Sequence, residues 1–325
     1  MAFRVLIIGC GSIGLRHLKN LNSLKKKMDL IIDIVEPFNL KINHNYNNLY
    51  FNCKDAYSAN KYDITFICTP NNLHLEQTLI AVKNDSHVFV EKPLFNDINQ
   101  ARILKNEILS YNKKIMVGCN LRFHDSVKVL KRALNNNYIG NVVYAKAQFA
   151  HFLPNWRANS DYKNFYSSKK NQGGGIYKDA IHEPDYLSWL FGSINNIEGK
   201  LYKISNLQIE TDDLASYTLT HKTGVRSFIH VDYIRQDKIR ECIIVGTEGT
   251  LKWLSSGKKP EKTIVKYFSN SNLEWSTLFK DENFDSNQQY VDEIEYFIDC
   301  CAKNLESLNG FLEAFNLQKS LNKLS

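Results

Sequence analysis

Val5-Leu6-Ile7-Ile8 runs directly into Gly9-Cys10-Gly11-Ser12-Ile13-Gly14 and then into helix-like sequence. A short β-branched apolar run followed by three glycines at this spacing is the signature of a strand, tight turn and helix built around a dinucleotide. Each glycine has its own task. Gly9 permits the turn, Gly11 lets the backbone approach a pyrophosphate, and Gly14 lets the helix pack closely on the strand. The phosphates would sit over Ser12 and Ile13, where the helix N-terminus presents unpaired backbone N–H groups. Leu15, Leu18, Leu21 and Leu24 give the following segment an apolar face, and Leu30–Val35 reads as a second buried strand. That strand ends in Glu36, 22 residues beyond Gly14, where a carboxylate can accept both ribose hydroxyls. A glycine turn without a ligand is the competing reading of the motif alone; the flanking strand, helix and acid favour the dinucleotide. The same carboxylate repels the 2′-phosphate of NADP, and Pro37-Phe38-Asn39 supply no cation to attract it. NAD is therefore the expected cofactor, with Lys41 the nearest residue arguing for NADP.

At 325 residues the chain is long for one core, and two domains are expected. No apolar run approaches the roughly 20 residues that cross a bilayer. The first apolar stretch ends in the glycine loop without a small-residue cleavage site, unlike a signal peptide. The seven cysteines (Cys10, Cys53, Cys68, Cys119, Cys242, Cys300 and Cys301) are odd in number, lie mostly in apolar runs and form no CxxC pair. Reduced thiols in a cytoplasmic protein explain them better than disulfides or zinc, and no metal site is expected. The net charge is +7, but Lys25–Lys27, Lys169-Lys170 and Lys258-Lys259 are scattered and lack interleaved aromatics. They read as solvated loops and helix ends rather than a nucleic-acid surface, while the basic balance as a whole helps attract an anionic substrate such as a sugar phosphate or nucleotide sugar.

Residues 1–120 alternate strand-like and helix-like segments, as in a doubly wound parallel sheet of the Rossmann type. After Val35 an asparagine-rich stretch, Asn39–Asn48, is expected to be helix and loop. Strands are expected at Ile64–Cys68, Val88–Val90 and Ile115–Val117, and helices at Leu73–Val82 and Ile98–Leu109. From 121 to 325 the pattern changes. Phe123, Val127, Leu130 and Leu134 mark a helix. Strand signals follow at 142–149, 214–220, 225–233, 239–245 and 250–254, with short turns that suggest hairpins. Tyr290, Ile294, Phe297 and Cys301 form a final helical stripe. The expected architecture is an N-terminal Rossmann domain and a C-terminal α/β domain on a large, mainly antiparallel sheet, whose last helices pack back on the first domain.

Two segments carry candidate chemistry. In Glu91-Lys92-Pro93, at a strand end, a lysine can hydrogen-bond a reacting oxygen and stabilise developing charge. The plain alternative is a surface lysine. In Gly173-Gly174-Gly175-Ile176-Tyr177-Lys178-Asp179-Ala180-Ile181-His182, glycines allow close approach of a ligand. The residues after them read as helical, so that Asp179 and His182 share a face. His182 suits removal of a hydroxyl proton near neutral pH, with a carboxylate to orient it. The plain alternative is a helix start with solvated polar groups.

Taken together, the fingerprint, Cys68-Thr69-Pro70-Asn71-Asn72-Leu73-His74, Glu91-Lys92-Pro93 and the glycine–Asp–His block resemble the glucose–fructose oxidoreductase / inositol dehydrogenase / rhizopine-catabolism (Gfo/Idh/MocA) family over roughly residues 3–255. The resemblance implies that Thr69, Pro70, Asn71, His74, Glu91 and Lys92 line the dinucleotide site, often with a cis bond before Pro93. It further implies that Lys92, Asp179 and His182 form the catalytic group. Many members space this Asp and His four apart; here they are three apart, so Asp185 or Glu183 competes for the role of Asp179. Trp156, Arg157, Tyr162 and Tyr166 read as a substrate loop or, without the resemblance, equally as a surface loop. Arg122 reads as a ligand group or an inter-domain ion pair, and Arg235 is similarly open.

The resulting expectation is an NAD(H)-dependent oxidoreductase acting on a secondary hydroxyl of a sugar, cyclitol, sugar phosphate or nucleotide sugar. The resemblance also implies a homodimer or homotetramer through the outer face of the second sheet. Rival readings keep the scaffold and change the chemistry: transient oxidation by retained NAD, imine or double-bond reduction, or a non-catalytic NAD sensor.

Overall fold

The computed structural model describes residues 2–38, 41–157, 160–257 and 261–324; Asn39 and the Lys258-Lys259 pair lie outside them. The chain forms two compact units, Met1–Cys119 with Tyr290–Gln318, and Asn120–Gln289 with Lys319–Ser325.

The first unit is built on strands β1 (Phe3–Ile8), β2 (Leu30–Val35), β3 (Leu49–Tyr50), β4 (Ile64–Ile67), β5 (His87–Val90) and β6 (Ile115–Val117). They form one parallel sheet in the order β3-β2-β1-β4-β5-β6. Helices α1 (Ser12–Leu24), α2 (Cys53–Ala59), α3 (His74–Lys83) and α4 (Ile98–Leu109) connect them. Parallel strands need covering on both faces and so read as continuous apolar runs; Val5, Leu6 and Ile7 are fully buried. The strand order reverses beside β1, and such a switch point opens a crevice at the carboxyl ends of the strands. Ile8 pairs with Val35 and Ile67, and Ile67 with Val90. Gly9, Glu36, Cys68 and Glu91 therefore follow their strands at one sheet edge.

The helix expected within 39–48 does not form at the described positions 41–48. Its asparagines bond the flank of β2 instead: Asn47 accepts from the Ile32 N–H and Asn48 donates twice to Asp33, each at 3.0 Å. Such side-chain bonds hold a loop in competition with helix. The short β3 and α2 follow, neither of them foreseen.

The second unit begins with α5 (Asp125–Asn135) and β7 (Val142–Ala150). These lead into α6 (Ile176–Asp179), α7 (His182–Phe191), β8 (Ile194–Tyr202), β9 (Leu214–His221) and β10 (Arg226–Asp232). Four more strands, β11 (Ile239–Gly246), β12 (Gly249–Ser256), β13 (Glu261–Ser269) and β14 (Glu274–Phe284), complete an eight-stranded sheet ordered β14-β13-β12-β11-β7-β10-β9-β8. The β7–β10 pair is parallel and every other pair antiparallel. One face is core: Leu251 and Trp253 on β12 are fully buried, as are Cys242 and Ile244 on β11. The other face leaves Tyr144 and Phe228 exposed.

Helices α8 (Gln288–Lys303) and α9 (Phe311–Leu321) return the chain to the first unit. The ring of Phe297 packs edge-on against Phe66 and Phe89, and Phe311 and Phe315 join the core around β4, β5 and β6. Asn309 closes the junction by donating to the Val117 carbonyl at 2.8 Å. Among the described residues no helix is long and apolar enough to cross a membrane, and no three His, Cys, Asp or Glu side chains gather as a metal site.

Candidate active site

The glycine loop has the geometry its spacing demands. Gly9 has φ +89°, and a Cβ there would lie 2.9 Å from Thr69 Cγ2. A Cβ on Gly14 would run into the Gly9 carbonyl oxygen and sit 3.3 Å from Cys68 Cβ, so close packing of α1 on the strand ends requires glycine. Gly11 is the N-cap of α1, which has no side-chain cap and no acid in its first turn, and a Cβ on it would enter open space. Ser12 and Ile13 thus open a helix whose positive end is available to an anion. Glu36, almost fully buried, accepts from the Cys10 N–H at 2.8 Å and the Phe38 N–H at 3.0 Å, one bond per oxygen, which leaves lone pairs on each. The Asn71 Oδ1 is buried without a hydrogen-bond partner among the described residues. An anion-ready helix start, an open glycine, a carboxylate with spare acceptors and an orphaned amide oxygen all suit a dinucleotide at this edge.

The ends of β4 and β5 are joined by side chains. The Thr69 hydroxyl donates to Gln77 at 2.6 Å. His74 sits with Nε2 at 2.8 Å from the Thr69 carbonyl oxygen and Nδ1 at 2.8 Å from that of Pro93. Carbonyls only accept, so both bonds form fully only on the doubly protonated ring, while burial pushes its pKa down. Pro70 precedes the short helical turn Asn71–Leu73. Lys92 is half-buried, and its bond to Pro93 is cis. Glu91 lies 2.6 Å from Nε2 of His17, a fully buried residue of α1. Burial alone would raise the Glu91 carboxyl, but the His17 hydrogen bond and the charges of His17, Lys92 and His74 hold it below its ordinary value. His17 was not foreseen. Its signal was its place on the buried stripe of α1, with Gly14, Leu18 and Leu21.

In the second unit Asp179 and His182 do not lie on one helix. α6 ends at Asp179, Ala180 and Ile181 turn, and α7 starts at His182. Pro184 supplies the reason. In a continuous helix its ring would clash with the Ala180 carbonyl, whereas in the first turn of a new helix its missing N–H costs nothing. The glycines before α6 meet the chain itself. A Cβ on Gly174 would strike the Tyr166 and Ser167 carbonyls, and Gly175, with φ +124°, faces Asp212. Asp212 receives the Tyr177 N–H at 3.3 Å, and burial raises its pKa to about 6. Asp179, 7% exposed, accepts hydrogen bonds from the hydroxyls of Tyr166 and, at 2.6 Å, Tyr233. Tyr233 follows β10, and the sequence marks it only as the last residue of the strand expected at 225–233.

The competing acids are occupied. Asp185 binds Arg122 bidentately, at 2.9 Å to Nε and 2.7 Å to Nη2, with both side chains buried. Glu183, fully buried, binds Arg240 at 2.7 Å. Arg122 is therefore paired inside its own unit. In the loop before the glycines, Trp156 stacks on His151 and donates to its carbonyl at 3.0 Å. Arg157 lies over the Phe165 ring at 4.8 Å, and the Tyr162 hydroxyl accepts from the Gln208 N–H at 3.3 Å. Arg235 pairs with Asp237 at the surface.

Comparison with known proteins matches residues 3–119 to an oxidoreductase family with an NAD-binding Rossmann fold, and residues 127–252 to the GFO/IDH/MocA C-terminal domain. The chain belongs to the Gfo/Idh/MocA family of NAD-binding oxidoreductases. It is 26% identical over 258 residues to Oxidoreductase P35 of Formosa agariphila, covering 76% of this chain and 78% of that one. With an inositol 2-dehydrogenase/D-chiro-inositol 3-dehydrogenase of Lacticaseibacillus casei it shares 25% identity over 326 residues, covering 94% and 86%. In fold it is similar to levoglucosan dehydrogenase solved with NADH, with a TM-score of 0.85 at 16% identity over 100% and 98% of the two chains.

Proposed function

We propose that the protein is an NAD(H)-dependent dehydrogenase that oxidises a secondary hydroxyl of a sugar, cyclitol, sugar phosphate or nucleotide sugar, or reduces the corresponding ketone. The observation that carries this reading is the sheet edge. The glycine loop, Glu36, Thr69 and the Glu91–Pro93 segment all follow strands whose registers end together, which suits a nucleotide with a charged amine beside it. When bound, NAD supplies the hydride acceptor and NADH the donor. Lys92 hydrogen-bonds the substrate oxygen and stabilises negative charge as it develops there. His182 takes the hydroxyl proton at its imidazole in oxidation and returns it in reduction. Asp179, held by two tyrosine hydroxyls, orients that exchange. These roles follow the family resemblance, and a relative named for inositol and a structural neighbour named for levoglucosan support the polyol class.

Arg122, Trp156, Arg157, Tyr162 and Tyr166 are proposed around the substrate, Arg122 and Tyr166 through the acids they bind. Assembly as a homodimer or homotetramer is proposed through the open sheet face carrying Tyr144 and Phe228. A cytoplasmic location suits the seven free thiols.

The test is NADH absorbance with enzyme, NAD and a panel of inositols, free sugars, sugar phosphates and nucleotide sugars. Turnover with one class, lowered about a hundredfold or more in both Lys92→Ala and His182→Ala, is the expected result. NAD binding without turnover on any member would overturn it in favour of a sensor or retained-cofactor chemistry.

A further inference from the structure

We propose that His17 and His74 are positioning residues for Lys92, two buried imidazoles that tie down the residue on either side of it. The inference rests on the catalytic role proposed for Lys92. On one side, His17 projects from α1 with Nε2 at 2.6 Å from the Glu91 carboxylate. Its ring is fully buried against Phe66, Phe89 and Tyr290, at centroid distances of 5.7, 5.3 and 6.3 Å. On the other side, His74 projects from the start of α3 and spans the Pro93 and Thr69 carbonyls. Lys92 is the middle of three residues whose neighbours are held by two different helices.

This placement has a mechanical meaning. A lysine carries about 2 kcal/mol of side-chain entropy on a flexible stem, so fixing its backbone narrows the region its ammonium can reach. A misplacement of about 1 Å at a reacting centre can cost about a hundredfold in rate. The braces also come from the elements that carry the proposed cofactor contacts: α1 opens with the glycine loop, and the turn before α3 carries Asn71. Glu91 and His74 thus carry a bracing role beside the place at the dinucleotide site that the family resemblance implies.

The experiment is hydrogen exchange read by mass spectrometry on the full chain, with and without NADH, together with the NADH Kd from fluorescence titration. The variants are His17→Leu and His74→Leu, with His17→Gln and His74→Asn as rescues. The glutamine amide nitrogen replaces Nε2 toward Glu91, and the asparagine amide nitrogen replaces Nδ1 toward Pro93. Exchange in peptides spanning 88–95 is expected to rise about tenfold or more in the leucine variants and to return toward the parent rate in the rescues. Peptides from β1 and β2 are expected to keep their protection, and the Kd of His17→Leu to stay within about threefold. Unchanged exchange at 88–95 overturns the proposal. So does a rise spread across the whole unit, which means a core role only, or a Kd weakened tenfold or more in His17→Leu, which means direct cofactor contact. Lys92→Ala is measured in parallel for turnover. If it remains active, the catalytic role of Lys92 fails, whatever the exchange data say about the braces.

Discussion

The Tyr233 hydroxyl donates to Asp179 Oδ2 at 2.6 Å while Tyr166 donates to Oδ1, so one carboxylate is gripped from both sides three residues before His182. A hydrogen bond to a charged group contributes about 1.5–3 kcal/mol. Tyr233→Phe is expected to lower kcat about tenfold or more with KM little changed, because Asp179 loses the bond that holds its Oδ2 in the orientation its proposed role requires. Steady-state kinetics on the substrate found by the panel checks this. A lowered Tm with kcat intact would make the pair purely structural.

Arg122 and Asp185 form a buried bidentate pair, both about 1% exposed or less at the side chain. Asp185→Ala removes the carboxylate that binds this buried guanidinium bidentately, and is expected to cost about 3–5 kcal/mol of stability, read from urea unfolding. The double variant Arg122→Met, Asp185→Leu removes both charges together and is expected to recover most of that loss.

The parallel sheet was legible almost strand by strand, because burial on both faces leaves apolar runs such as Val5–Ile8 that no other element explains. The glycine loop was equally legible, since φ +89° at Gly9 and the contact of Gly14 with Gly9 leave little choice of residue. What escaped has physical reasons. β8 and β14 are edge strands with mostly exposed side chains, and so lack the alternation that reveals a half-buried strand, while β13 was missed because polar Glu261 and Thr263 hold two of its buried positions. The break between Asp179 and His182 was written in Pro184, but a proline three residues into a helix is compatible with the first turn of a new one and does not by itself announce where that helix starts. The partners of Asp179 and Glu91 were hidden for another reason. Tyr233 lies 54 residues from Asp179, and His17 lies 74 from Glu91. Pairings at that range are products of the fold.

Burial pushes the thiols of Cys10, Cys242 and Cys301 up to about 12, helped in Cys10 by the Glu36 charge and in Cys301 by Cys300. Cys68 is raised in the same sense. Unfolded thiols ionise around their ordinary value of 9.0, so between 9 and 12 the unfolded chain binds fewer protons than the native one. Stability is therefore expected to fall as pH rises through that window, by at most about 1.4 kcal/mol per pH unit for each thiol. Denaturant midpoints from pH 8 to 10.5 check the slope. At pH 8, labelling of the native protein by an aromatic disulfide reagent is expected to be far slower than after unfolding.

Glu36 ties cofactor choice to loop geometry. Its carboxylate follows β2, yet one of its two backbone bonds comes from Cys10, inside the glycine loop after β1. The same group that would accept the ribose hydroxyls also fixes the turn that would lie beneath a pyrophosphate. Glu36→Ser shortens the side chain and removes its charge, so it weakens both functions while lifting the repulsion toward a 2′-phosphate. Two opposite consequences are expected. NAD binding weakens about tenfold or more, from the loss of a charged hydrogen bond. NADP binding weakens less or improves, so the NAD/NADP preference narrows, and it narrows by more than the NAD loss where NADP binding improves. Adding Pro37→Arg, which places a guanidinium beside the missing charge, is expected to carry the preference further toward NADP. Fluorescence titrations with NADH and NADPH on parent, single and double variants give the ratios. An equal weakening of both cofactors in Glu36→Ser would mean that Glu36 acts only by holding the loop.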